Sequence, residues 1–237
     1  MRPERHKGQQ KINIFLFGND TIGKTSIGNN ILNYDGLRDI DDNNDPVCIS
    51  ATTEDFPGKF IEVINTPRLS LPRKKIINVI KEKQEECSST SAKFSALFVV
   101  RANSVSDTDC GESINIFKDV FGRQFSGRIV VVVTHFDKVG RNINLKSFLG
   151  SCGAQLRSFI RERNLEVFFF DNSSHGDIRT SQVNDLISII VSERNTMIPR
   201  KKKKAIVSEK NTWSWNAWSI LTVATGIACM LIYKVMK

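Results

Sequence analysis

The chain has 237 residues, room for one α/β domain of about 200 residues and an appendage. With 40% hydrophobic and 25% charged residues it has the composition of a globular chain that buries a sizeable core. The formal net charge of +9 points towards a polyanion, but residues 200–237 hold eight Lys/Arg against Glu209 alone, so residues 1–199 carry only +2 and the globular part has no charge-based claim on nucleic acid.

Cysteine usage bounds the compartment. Cys48, Cys87, Cys110, Cys152 and Cys229 are scattered, with no CxxC pair and no Cys/His spacing suited to zinc. An odd count without a framework reads as reduced thiols. No apolar stretch follows the charged residues 1–7, so no secretory signal peptide is expected.

The predicted elements alternate. Residues 1–10 are polar and are read as a flexible lead-in. An apolar run at 12–17 suits a buried parallel strand, and a helical stretch follows over 24–33. Residues 34–46, rich in Asp, Asn and Gly, are read as a mobile loop compatible with a switch. Strands are predicted at 60–64, 94–100, 128–133 and 167–170. Helices are predicted over 73–87, 111–122, 145–164 and 183–195. Five strands alternating with helices predict a mostly parallel, doubly wound α/β sheet, with ligands at the carboxyl ends of its strands.

The first strand runs into Gly18, Asn19, Asp20, Thr21, Ile22, Gly23, Lys24 and Thr25, a full match to the phosphate-loop pattern G-x-x-x-x-G-K-S/T, with Ser26 next in the helix. The two glycines let main-chain N–H groups close around phosphate oxygens. The helix that starts near Lys24 adds the positive end of its dipole. Lys24 is positioned to bridge the terminal phosphates and Thr25 to give a hydroxyl to Mg2+.

The strand at 128–133 leads into Thr134, His135, Phe136 and Asp137. A carboxylate there accepts from the ring N–H and the exocyclic amine of guanine. Adenine presents the opposite polarity at those atoms, so Asp137 selects guanine. The next strand ends in Asp171 and Asn172, a second position for a base-contacting loop.

On these motifs the chain resembles the GIMAP, or immunity-associated nucleotide-binding, GTPases, which are related to the Toc-type chloroplast import receptors. The resemblance covers roughly residues 10–195. It rests on the phosphate loop continuing to Leu32, the block from Val63 to Pro67, the segment from Ser95 to Val100 leading to 117–122, and Thr134 to Asp137. It implies a P-loop G domain at 11–196 that binds GTP or GDP with Mg2+ and self-associates as a homo- or hetero-oligomer. It also implies that Thr134, His135 and Asn172 attend the base. A switch threonine touching Mg2+ falls at Thr52 or Thr53, with Thr52 preferred. Where the family reads Asp-Thr-Pro-Gly, this chain has Asn65, Thr66, Pro67 and Arg68. Asn65 lacks the charge that holds the metal, Arg68 brings a Cβ where a glycine N–H meets the γ-phosphate, and no glutamine follows to orient a water. The resemblance implies a GTPase; these departures imply slow hydrolysis or none.

Residues 217–233 hold no charge, and 21 residues separate Trp213 from Tyr233 inclusive, enough for a bilayer-spanning helix of about 20 residues. Trp213, Trp215, Trp218 and Tyr233 suit interfacial belts. Residues 213–237 are therefore read as a C-terminal transmembrane tail anchor, and 197–212 as a basic linker whose Arg200 and Lys201 to Lys204 mark the cytosolic side. The expected location is the cytosolic face of the endoplasmic reticulum or the mitochondrial outer membrane.

Overall fold

The computed structural model describes residues 8–38, 46–88, 92–103, 107–122, 125, 127–136 and 144–192. They all belong to the first of two units, Met1–Glu193; the second, Arg194–Lys237, lies outside the described residues, as do Asp137, the linker and the expected span. Among the described residues no helix is long and apolar enough to cross a membrane.

The elements run β1 (Gln10–Phe17), α1 (Lys24–Leu32), β2 (Ile49–Thr53), β3 (Lys59–Asn65), α2 (Arg73–Ser88), β4 (Lys93–Arg101), α3 (Asp107–Phe121), β5 (Arg128–Thr134), α4 (Leu145–Ser151), α5 (Ala154–Glu162), β6 (Glu166–Phe169) and α6 (Gly176–Val191). They form a six-stranded sheet in the order β2-β3-β1-β4-β5-β6. β1 pairs in parallel with both β3 and β4, β4 with β5 and β5 with β6; β2 alone runs antiparallel, against β3.

Both faces of the sheet are covered, which is why its inner strands read as unbroken apolar runs. Ile12, Ile14 and Leu16 of β1 pack with Ile27 and Ile31 of α1 and with Leu186 and Ile190 of α6. The alternate residues Phe15 and Phe17 pack with Ile76 and Ile80 of α2, Phe117 and Phe121 of α3 and Phe159 of α5. Edge-to-face rings knit this second layer: Phe17 to Phe117 at 5.2 Å and Phe98 to Phe159 at 5.4 Å between centroids. A charged group is buried within it. Glu62 of β3 is buried and pairs with Lys83 of α2 at 3.2 Å and Lys11 of β1 at 3.4 Å. Burial pushes the Glu62 carboxyl up, but Lys83 and Lys11 outweigh burial and hold it below its ordinary value.

Three elements differ from expectation. β2 was not foreseen, because it buries only one face at the sheet edge: Ile49 and Ala51 pack on the α1 layer while Ser50 and Thr52 do not. The expected helix at 145–164 is two helices, because Cys152 and Gly153 both take extended ψ values, 153° and 157°. A capping box between Asn144 and Ser147 opens the first of them. α6 starts at Gly176, seven residues before the expected start at 183. Its first turns lack an apolar stripe, and Ile178 there is 67% exposed.

The chain order reverses direction across the sheet at β1, with β3 on one side and β4 on the other. A crevice opens at the carboxyl end of such a strand.

Candidate functional site

The crevice is built from the end of β1 outward. Gly18 follows β1 with φ 147°, and a Cβ there would run into the Val99 carbonyl oxygen of β4 and the Ile22 side chain. Thr21 is left-handed at φ 56°, and Gly23 caps α1 at φ 92°. These reversals wind the main chain around a concavity, as a phosphate-binding nest requires. Lys24 is buried at 8% exposure, and its Nζ donates to the carbonyls of Gly18 at 2.6 Å and Asn19 at 3.0 Å, so the ammonium sits at the lip of the loop.

A cleft of about 490 Å3 opens over this loop. Of the residues expected at the phosphates, Asn19, Asp20, Thr21, Gly23, Lys24, Thr25 and Ser26 line it. Gly18 and Ile22 do not: Gly18 shapes the turn beneath, and the Ile22 side chain is buried in the core between β1, α1 and α6. Asn65, Arg68, His135 and Asn172 line the same cleft, so residues from the ends of β3, β5 and β6 meet the phosphate loop that follows β1.

Two more of the expected residues are not among those lining the cleft. Thr134 does not face the cleft. It is fully buried, and its hydroxyl donates to the Ile22 carbonyl at 2.7 Å, so it braces the phosphate loop from behind. Thr52 is not brought to the cleft either. It lies within β2 opposite Glu62, three residues down from Asn65 at the site end of β3, and its carbonyl accepts from the Tyr34 hydroxyl at 2.9 Å. Thr53 is buried one step further away, opposite Ile61, with its hydroxyl oxygen accepting from the Asp55 N–H. Strand pairing holds both threonines away from the loop. Asp137 lies outside the described residues, one position past Phe136.

Other residues were not foreseen. Asn29, Asn30, Asp35 and Thr66 also line the cleft. Asn29 lies one helical turn after Thr25, a spacing that could have marked it. Its side chain holds the segment after α1 by accepting from the Leu37 N–H at 2.8 Å and donating to the Leu37 carbonyl at 3.2 Å. Ser113 of α3 donates to Asn19 Oδ1 at 2.5 Å, tying α3 to the phosphate loop. Nothing in the sequence pattern marks that contact, because it joins residues 94 positions apart.

At the far end, Asp171 Oδ1 accepts from the N–H and hydroxyl of Ser173 at 2.8 and 2.6 Å, while Gln182 of α6 accepts from the Asp171 N–H at 2.8 Å. This fixed turn presents Asn172, whose Nδ2 and Oδ1 are both buried without a hydrogen-bond partner. A Cβ on Gly23 would collide with the Asn172 side-chain nitrogen. A buried amide left with both of its groups unmade is costly. Together with a cradle that tolerates no Cβ, it fits a nucleotide.

A magnesium ion fits less well. Thr25 supplies one hydroxyl, but its neighbour at the end of β3 is the neutral Asn65, whose Nδ2 donates to Thr25 Oγ1 at 3.3 Å. Among the described residues no group of three or more His, Cys, Asp or Glu is placed to hold a metal.

Comparison with known proteins agrees with this fold. Two solved structures of Toc33 from Arabidopsis thaliana share the fold. A dimerization-deficient mutant has TM-score 0.58 and 15% identity over 78% of this chain and 86% of that one. The complex with GDP and Mg2+ has TM-score 0.56 and 18% identity over 77% and 83%. Aquifex aeolicus Era bound to GDP and AlF4− has TM-score 0.51 and 16% identity over 79% of this chain and 59% of that one. A search of curated protein sequences finds no match. The profile of the AIG1 family matches residues 12–214, most of the chain. The chain belongs to the AIG1 family and carries its nucleotide-binding, GTPase-like domain.

Proposed function

We propose that this protein is a guanine-nucleotide-binding switch, anchored by residues 213–237 to the cytosolic face of the endoplasmic reticulum or mitochondrial outer membrane, that self-associates through its G domain. The observation that carries the nucleotide part is the meeting of the phosphate loop with the unpaired Asn172 amide in one cleft. Asp137 then gives the choice of guanine, since its carboxylate matches the two donors of that base and opposes adenine. A Toc33 variant described as dimerization-deficient supports self-association by likeness. The uncharged, Trp-flanked stretch before Tyr233 supports the anchor.

Competition of unlabelled GTP against ATP for one labelled nucleotide tests the reading. GTP displacing the label while ATP does not is the expected outcome; equal displacement removes the guanine assignment.

A second reading is a nucleotide-holding membrane scaffold without turnover. Asn65 and Arg68 favour it, since they replace the carboxylate and the glycine next to the γ-phosphate. Single-turnover GTP cleavage separates the two: a rate equal to that in buffer selects the scaffold.

A further inference from the structure

The end of β3 departs from what a magnesium nucleotide needs, and that departure has a compensation close by. Resting on the guanine-nucleotide reading above, we propose that this cleft holds its nucleotide without a magnesium ion, and that Arg68 supplies the positive charge the metal would give.

Magnesium demands an octahedral shell of hard oxygen ligands, and phosphate-loop proteins hold it with the loop hydroxyl and a carboxylate. Here the loop hydroxyl, Thr25 Oγ1, faces Asn65 Nδ2 at 3.3 Å. Either orientation of that amide leaves Thr25 beside a neutral partner. The two carboxylates that line the cleft, Asp20 and Asp35, come from the phosphate loop and from the segment after α1. One of them is engaged, as Asp20 Oδ2 accepts from the Ser70 hydroxyl at 3.0 Å.

The chain on both sides of Arg68 is anchored beside the phosphate loop. On one side of it, Thr66 donates to the Leu16 carbonyl of β1 through its hydroxyl at 2.8 Å and its N–H at 3.2 Å. On the other side, Leu69 is buried in the core under α2, and Ser70 is tied to the phosphate loop through Asp20. Both flanks of residue 68 are thus pinned to β1, to the core or to the loop that follows β1. Arg68 itself lines the cleft with Lys24. A guanidinium stays charged at every relevant pH and grips phosphate oxygens through two parallel N–H donors. An arginine in the cleft with an asparagine at the metal's usual carboxylate position exchanges a divalent ion for a side-chain cation.

The test is a titration of the full chain, in mild detergent, with fluorescent GDP and GTP, in buffer holding either magnesium or excess EDTA. The expected result is a Kd that differs by less than about fivefold between the two buffers. Arg68→Ala should weaken binding in EDTA by about tenfold or more, and Arg68→Lys should recover part of that loss. Should Arg68→Ala fail to fold by circular dichroism, Arg68→Gln takes its place. Asn65→Asp should create a magnesium dependence above about fivefold. A wild-type Kd that worsens more than about fivefold in EDTA overturns this inference and leaves the guanine-nucleotide reading standing. So does a loss of charge at residue 68 that leaves binding in EDTA unchanged. Absence of binding in both buffers removes the nucleotide reading and this inference with it.

Discussion

The hydroxyl of Thr134, at the end of β5, donates to the main-chain carbonyl of Ile22 at 2.7 Å, across 112 positions of sequence. The phosphate loop therefore leans on the strand that leads to His135. His135 Nδ1 lies 3.0 Å from the same hydroxyl oxygen, so one buried group joins the loop, β5 and a cleft-lining histidine. Thr134→Val keeps the shape and removes the donor, leaving the Ile22 carbonyl without this partner in a buried place. A loss of about 1–3 kcal/mol in chemical denaturation is expected, with weaker nucleotide binding as the loop slackens. A variant as stable as the parent would show that water or another group serves Ile22.

Gly23→Ala probes the other side of the loop. The residue sits at φ 92°, and its new Cβ would collide with the Asn172 side-chain nitrogen. Strain and collision should cost about 1–3 kcal/mol in stability, and nucleotide binding should fall below detection because both walls of the cleft are displaced. Thermal melts and fluorescent nucleotide titration read the two effects separately. Retained binding would mean that the loop adopts another geometry with ligand.

The phosphate loop was legible because its chemistry is local: glycines, a lysine and a threonine at fixed spacing between a strand and a helix. The buried strands were legible because packing on both faces makes them continuously apolar. The setting of Thr52 was hidden for the opposite reason. A threonine in a polar stretch reads as a loop residue, and only the pairing of β2 with β3 shows it facing Glu62. The Thr134 contact was hidden because a strand-end threonine can turn its hydroxyl to ligand or to backbone, and the sequence does not record which. Ser113, Ser70 and Gln182 were invisible, since each acts through a partner on a different element.

Glu62 gives the fold a pH signature. Its carboxyl is held below the ordinary 4.5 by Lys83 and Lys11 against the opposing effect of burial. A depressed carboxylate stabilises the folded state fully above its unfolded value, and that contribution fades as pH falls through the folded one. Lys83 and Glu62 side chains are only 14% and 12% exposed, so the pair is little screened. Glu62→Gln should cost about 1–2 kcal/mol at neutral pH, with the gap to wild type narrowing below pH 4.5. Urea melts across that range check it. A gap independent of pH would assign the effect to packing alone.

Asn172 offers the sharpest separation of stability from function. Its amide is buried with neither group hydrogen-bonded, in a turn that Asp171, Ser173 and Gln182 hold rigid. Removing an unpaired buried polar group lifts a desolvation penalty, so Asn172→Ala should leave the nucleotide-free protein within about 0.5 kcal/mol of wild type or make it more stable. With nucleotide the balance reverses. The amide gains the partners it lacks, and its loss should weaken guanine-nucleotide binding by about tenfold, or roughly 1.4 kcal/mol. Melting curves with and without GDP measure both quantities on one sample. An alanine variant that binds GDP as tightly as the parent would place Asn172 outside the base contact, and its buried amide would then need another occupant.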